Sequence, residues 1–219
     1  MTWVKICGMT NLEDALVAID AGADAVGFVF YDKSPRCITV ETAREIVEKL
    51  PVEVEKVGVF VNENVNGPAE VLEQVGLTTA QVYSKSIREW MQWYQAAERK
   101  LMWAIPGHSL REEFFISLGT LHKPISALLV DSGSGDRPGG TGERFDWESA
   151  KTGIWFLEQK VPVVVAGGLT PHNVDHAIKT LRPWGLDVSS GVESQPGKKD
   201  PEKVRAFVRA VREMDRKTS

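Results

Sequence analysis

Val161-Pro-Val-Val-Val-Ala-Gly-Gly-Leu-Thr-Pro171 and Gly185-Leu-Asp-Val-Ser-Ser-Gly-Val-Glu193 each read as an apolar strand running into a loop of small residues, with a helical run between them. That is a βαβ unit whose two loops, Gly167-Gly168 and Ser189-Ser190-Gly191, open on the same end of a parallel sheet. Glycines at such loops let backbone N–H groups approach a ligand closely, and a helix N-terminus adds a dipole that favours an anion. A single loop of this kind is also what any tight turn requires. Two together are the phosphate grip of a (β/α)8 barrel, made by the loops after strands seven and eight and a short extra helix. The stretch therefore sets a question for the rest of the chain: do six more units precede it?

They do. Trp3 to Cys7 reads as a strand, and Asn11 caps a helix whose apolar stripe is Leu12, Ala15, Leu16 and Ile19. Ala25 to Phe30 is a continuous apolar strand of the kind buried on both faces, and Thr39 caps a helix presenting Val40, Ala43, Ile46, Val47 and Leu50. Lys56 to Val61 is the third strand, with Pro68 opening a helix that Gly76 ends. Thr79 to Tyr83 is the fourth, followed by the capping box Ser86-x-x-Glu89 and a helix lined by Ile87, Trp90, Met91 and Tyr94. Leu101 to Pro106 is the fifth, and Ser109-x-x-Glu112 opens a helix through Leu121. Ile125 to Asp131 is the sixth, then a Gly-rich loop from Ser132 to Arg144 and a helix from about Trp147 to Glu158. Val161 to Ala166 and Leu186 to Ser189 are strands seven and eight. Thr170 and Pro171 are placed as cap and first residue of the helix between them, and Asp200-Pro201 opens the last helix. Strand and helix alternate with short connections, so the expected fold is α/β, a single-domain (β/α)8 TIM barrel over residues 1–219 with its phosphate loops in 161–193. A doubly wound sheet carries its phosphate loop early, and here there is neither a Walker loop nor a G-x-G-x-x-G fingerprint.

The 219 residues are 42% hydrophobic and 26% charged with a formal net charge of −4. That composition is globular and carries no basic footprint for nucleic acid or an anionic membrane. The two cysteines, Cys7 and Cys37, leave no disulfide framework, and there is no basic leader or membrane-length apolar run, so a reducing cytoplasm is expected.

In a barrel, reactive residues at the C-terminal ends of strands are the site candidates. Cys7 is either a small buried hydrophobe or, near cationic groups and N–H donors, a thiol whose pKa falls towards neutrality so that it serves as a base. Asp131 ends an apolar strand, where a carboxylate is solvated, helix-capping or functional; apolar surroundings and a bound anion would hold its proton tightly and suit a general acid. Arg36 is a loop charge or a bidentate grip on a carboxylate. Tyr83 closes strand four. His172 and His176 stand four apart but lack the Glu of H-E-x-x-H, so no metal site is expected. The loop 132–144 is either a lid or a flexible connection.

Several stretches together resemble the phosphoribosylanthranilate isomerase family of tryptophan biosynthesis. They are Lys5-Ile6-Cys7-Gly8-Met9-Thr10; Gly27-Phe28-Val29-Phe30 leading to Ser34-Pro35-Arg36; Val57-Gly58-Val59-Phe60-Val61-Asn62; Val130-Asp131-Ser132 with Gly139-Gly140-Thr141-Gly142; Ala166-Gly167-Gly168-Leu169-Thr170-Pro171; and Asp187 to Glu193. The resemblance implies a cofactor-independent Amadori rearrangement of N-(5-phosphoribosyl)anthranilate. It implies Asp131 as the acid that opens the furanose, Cys7 as the base at C2′, and Arg36 on the anthranilate carboxylate. The phosphate would lie on Gly167, Gly168, Ser189, Ser190 and Gly191, with Asp187 as a polar support. The implied partner is a small phosphorylated substrate, and the implied state a monomer, with dimers possible. One position departs: the family commonly has Gln-Leu-His-Gly where this chain has Gln81-Val82-Tyr83-Ser84, and a phenol is bulkier and cannot become cationic near neutral pH. The related aminoaldose isomerase of histidine biosynthesis would place an aspartate where Cys7 stands. Indole-glycerol-phosphate synthase is disfavoured by Cys7-Gly8. A silent sugar-phosphate-binding barrel would show a broken acid/base pair.

Overall fold

Strands rich in Val, Ile and Ala with no alternation must bury both faces, and closing the sheet on itself is one way to do so. In the computed structural model, β1 (Trp3–Cys7), β2 (Ala25–Val29), β3 (Glu55–Val61), β4 (Thr79–Tyr83), β5 (Lys100–Pro106), β6 (Ala127–Asp131), β7 (Val163–Val165) and β8 (Gly185–Val188) form one closed parallel barrel in sequence order. β1 pairs with both β2 and β8. The structure describes residues 1–61, 66–84, 87, 90–92, 99–110, 125–133 and 144–218. The capping box at Ser86, the helix expected from Ser109 to Leu121 and most of the loop 132–144 lie outside them.

Alternate residues of each strand take opposite sides. Val4 and Ile6 of β1, Val26 and Phe28 of β2, and Val163 and Val165 of β7 face the surrounding helices and join the large core. Met102, Ala104, Ala127, Leu129, Val164 and Ala166 fill the barrel interior, with Trp3 and Tyr83 packed against them. Full burial of one such aliphatic or aromatic side chain is worth about 1.5–3 kcal/mol, so this double-sided burial is what holds the barrel closed.

The helices are α1 (Leu12–Asp20), α2 (Val40–Val47), α3 (Asn66–Val75), α4 (Trp147–Glu158), α5 (Val174–Leu181) and α6 (Pro201–Thr218). Asn11 and Thr39 cap α1 and α2 through side-chain oxygens, as expected, and Asp146 does so for α4. Three readings need correction. Leu16, placed on the buried stripe of α1, is 39% exposed, and Ala18 is buried instead. The buried face of α1 runs through Asp14, Ala15 and Ala18, so Leu16 falls on its exposed side. Pro171 does not start α5, whose first residue is Val174. The Thr170 carbonyl accepts from the Asn173 and Val174 N–H groups, so a separate turn precedes the helix and Pro171 sits inside that turn. α3 begins at Asn66, two residues ahead of Pro68.

Candidate active site

The C-terminal ends of the strands surround a cleft that opens to solvent at its mouth. Every residue expected to be catalytic or to bind the substrate or its phosphate lines it except Gly191. The alternation of the strands is the cause. Cys7, Tyr83, Asp131 and Asp187 each occupy an inward position at or near the end of β1, β4, β6 and β8.

Asp131 is 3% exposed. The Tyr83 phenol donates to its Oδ2 at 2.8 Å, and the Ser132 hydroxyl and Gly133 N–H donate to Oδ1 at 3.3 and 3.4 Å. Burial and the neighbouring Asp131 charge push the Tyr83 phenol well above its ordinary range, so it stays a neutral donor. Cys7 is also buried, and burial pushes its thiol up, against the opposing pull of Lys5. This corrects the expectation of a thiol lowered towards neutrality: in the resting cleft, desolvation of the thiolate outweighs the cation beside it.

Arg36 reaches the cleft wall with half of its fork engaged. Its Nε donates to Glu193 Oε1 and its Nη2 to Glu193 Oε2, both at 2.8 Å, and Lys199 Nζ lies 2.8 Å from the same Oε1. Burial would raise the Glu193 carboxyl, but hydrogen bonds and charge from Arg36 and Lys199 outweigh it and hold it below its ordinary value. The bidentate grip on a carboxylate that the sequence suggested is thus made inside the protein. Arg36 has its remaining guanidinium donors for a ligand.

The loops after β7 and β8 meet each other. Gly167 and Gly168 adopt φ of 87° and 63°, the left-handed region that favours glycine. Residues Ser190–Val192 form a short 3₁₀ turn, and an added Cβ on Gly191 would collide with the Leu169 carbonyl, so Gly191 serves close backbone packing. Among the described residues, nothing accepts from the N–H groups of Gly167, Gly168, Ser190 or Gly191. Asn173 holds the first loop in shape, accepting from Thr170 N–H at 2.8 Å and donating to the Gly168 carbonyl at 2.9 Å. The Ser189 hydroxyl is committed elsewhere, donating to the Cys7 carbonyl at 3.0 Å.

Sequence reasoning missed Lys5, Glu193, Lys199 and Asn173. Lys5 and Glu193 stand in stretches that carry the family resemblance but received no role there, because their pairings cross elements; Lys199 left no signal. His176 packs its ring on Trp147, and among the described residues no group of three His, Cys, Asp or Glu side chains is placed to hold a metal ion.

The family model for N-(5'phosphoribosyl)anthranilate (PRA) isomerase matches residues 4–210. The N-(5'-phosphoribosyl)anthranilate isomerase of Pelobacter propionicus is 42% identical over 213 residues, covering 97% of each chain. A crystal structure of phosphoribosyl anthranilate isomerase in complex with reduced 1-(o-carboxyphenylamino)-1-deoxyribulose 5-phosphate is 36% identical, with a TM-score of 0.79 over 97% of this chain and 100% of that one. A structure of monomers generated from the dimeric phosphoribosylanthranilate isomerase of Thermotoga maritima is 37% identical at a TM-score of 0.79, with the same coverage.

Proposed function

The chain belongs to the N-(5'-phosphoribosyl)anthranilate isomerase family, and from that premise we propose how its cleft carries out the family's reaction. The protein is an aldose–ketose isomerase of tryptophan biosynthesis, converting N-(5'-phosphoribosyl)anthranilate to 1-(2-carboxyphenylamino)-1-deoxyribulose 5-phosphate. In the proposed mechanism Asp131, as the acid, protonates the furanose ring oxygen, and the C1′–O bond breaks to give the open-chain Schiff base. The Cys7 thiolate then takes the proton from C2′. The enolamine that results takes a proton at C1′ and gives up the proton of its C2′ hydroxyl, settling as the C2′ ketone, and exchange with water returns Asp131 and Cys7 to their starting forms. One base and one acid move protons within a single substrate, and the net change is an isomerisation.

The free donors of Arg36 hold the anthranilate carboxylate, and the four unengaged N–H groups of Gly167, Gly168, Ser190 and Gly191 hold the phosphate. The observation that carries the assignment is convergence. Cys7 and Asp131, 124 positions apart in the sequence, line one cleft together with the two loops. A silent binding barrel would keep the loops and lack the pair.

Turnover of phosphoribosylanthranilate by wild type, Cys7→Ala and Asp131→Asn tests this, with binding of a reduced product analogue measured in parallel. Each variant is expected to lose about 10²–10⁴-fold in kcat while still binding. A variant that keeps its turnover removes that residue from the mechanism. We take the monomer as the working assembly. Among the described residues the large apolar side chains that remain exposed are Met1, Leu16, Val52, Trp155, Phe156 and Trp184, with Lys160 lying over the Phe156 ring. Among those residues no helix is long and apolar enough to cross a membrane.

A further inference from the structure

Lys5 is fully buried inside the barrel, where the layers are normally filled by branched apolar side chains. It stands in register with Asp187 on the neighbouring strand, and its Nζ lies 2.8 Å from Asp187 Oδ1. Cys7 follows two residues along β1, so its side chain takes the same inward face one step nearer the mouth. Opposite Cys7 on β2 is Gly27, and its missing side chain makes the space that the two groups share. A Cβ added there would lie 2.7 Å from Cys7 Sγ and 3.1 Å from Lys5 Nζ.

A buried ion pair is weak evidence for stability, since replacing such a pair by apolar residues of similar volume is often neutral or stabilising. This one lies directly beneath the sulfur that the mechanism needs as an anion. We propose that Lys5 is a positioning residue for the base: its ammonium is the counter-ion of the Cys7 thiolate, and Asp187 is the tether that holds the ammonium there and tempers its charge. The proposal rests on Cys7 being the base. The thiol first gives its proton to water, breaking S–H; the sulfur, facing Lys5, then takes the C2′ proton and S–H forms again. Lys5 itself transfers nothing.

The charged and titratable groups around Cys7 are Lys5 on its own strand, Arg36 after β2, Tyr83 on β4, Asp131 on β6, Asp187 on β8 and Lys199 beyond it. Burial alone would lower the Lys5 ammonium, but Asp187 and Cys7 together hold it above its ordinary value, so it is charged when the base acts. Burial raises the Cys7 thiol, Lys5 lowers it and Asp187 raises it again. The two partners therefore act on Cys7 with opposite sign.

That opposition gives the test. In a Cys37→Ser background, which removes the other, exposed thiol, Cys7 ionisation is followed by thiolate absorbance and by the pH dependence of its alkylation. Turnover is measured against pH in parallel. Lys5→Met is expected to move the midpoint up by about one pH unit or more, with about ten-fold less turnover at a fixed pH below it. Asp187→Asn is expected to move the midpoint down, and Lys5→Arg to stay near wild type. Should Lys5→Met not fold because Asp187 is left unpaired, the Lys5→Met/Asp187→Asn double variant must titrate above Asp187→Asn alone. Midpoints that stay put, or that move the same way in the Lys5→Met and Asp187→Asn variants, overturn the proposal. The ionisation readout does not depend on turnover, so it is separable from failure of the parent reading, which would show as turnover surviving in Cys7→Ala.

Discussion

At the scale of single residues, Tyr83 shows how a departure from a family's usual residue is absorbed. The phenol oxygen donates to Asp131 across 48 positions of sequence, and Gln81 Nε2 in turn approaches that oxygen at 3.5 Å. Whatever the fit of the substrate, we propose that Tyr83 holds a carboxyl oxygen of Asp131, the proposed acid, in place. A net hydrogen bond is worth up to about 1.5 kcal/mol, and each 1.4 kcal/mol corresponds to a factor of about ten. Tyr83→Phe is therefore expected to lower kcat by roughly ten-fold with little change in KM, as read by steady-state kinetics. An unchanged kcat would mean that Ser132 and Gly133 orient Asp131 unaided.

Among the elements, the segment after β8 does more than supply a phosphate loop. Glu193 opens β9 (Glu193–Gln195), which pairs antiparallel with β10 (Lys198–Lys199), and this small hairpin delivers Glu193 and Lys199 to Arg36. Lys199 N–H also donates to Asp14 of α1 at 2.8 Å, which locks the hairpin to the barrel wall. Removing one member of a buried ion cluster leaves the others uncompensated, at a cost of about 3–5 kcal/mol. Glu193→Gln keeps the shape and some of the hydrogen bonding, so a loss of about 2–3 kcal/mol in urea denaturation is expected near neutral pH, with KM raised because Arg36 is no longer aimed. The folded-state Glu193 carboxyl lies below its ordinary value, so its contribution is present above the unfolded value of about 4.3 and disappears as pH falls through the folded one. The stability gap between wild type and Glu193→Gln should close at acid pH. A gap that persists there would assign the effect to packing instead.

For the molecule as a whole, the two ends of the chain are clasped together. Arg212 of α6 donates to the carbonyls of Thr2 and Gly22 and to Asp24, which itself accepts from Val4 N–H. Asp215 accepts from the Thr2 N–H at 3.0 Å and from its hydroxyl at 2.7 Å. Burial would raise the Asp215 carboxyl, but these donors and Arg212 hold it below its ordinary value. Asp215→Asn is expected to cost about 1 kcal/mol at neutral pH, an effect present above the unfolded value of about 3.9 and lost as pH falls through the folded one. We propose that residues 1–219 act as one unit, since β1 hydrogen-bonds to β8 and the last helix is tied to the first strand. Denaturation should then show one transition, and two resolved transitions would refute the reading. In sedimentation, a monomer is expected, and a concentration-dependent dimer would revise the assembly.

Much of this was legible in the sequence. Their places at the C-terminal ends of expected strands marked Cys7, Tyr83 and Asp131, the family resemblance added Asp187, and the small-residue loops after strands seven and eight marked where an anion could sit. Eight apolar segments at helix-separated spacing determined the barrel, because both faces of each strand had to be buried. Only the tertiary structure decided what surrounds those residues. That Arg36 is held by Glu193, which Lys199 also grips, and that Lys5 lies against Cys7 and Asp187 follow from bringing distant elements together, while Asn173 grips its own loop instead of following a helix begun at Pro171. Closure sets β1 against β8 and folds the hairpin back onto the cleft. The electrostatics of Cys7 depend on that closure as well, since desolvation exists only once the surrounding strands have excluded water, and no spacing in a linear chain carries it.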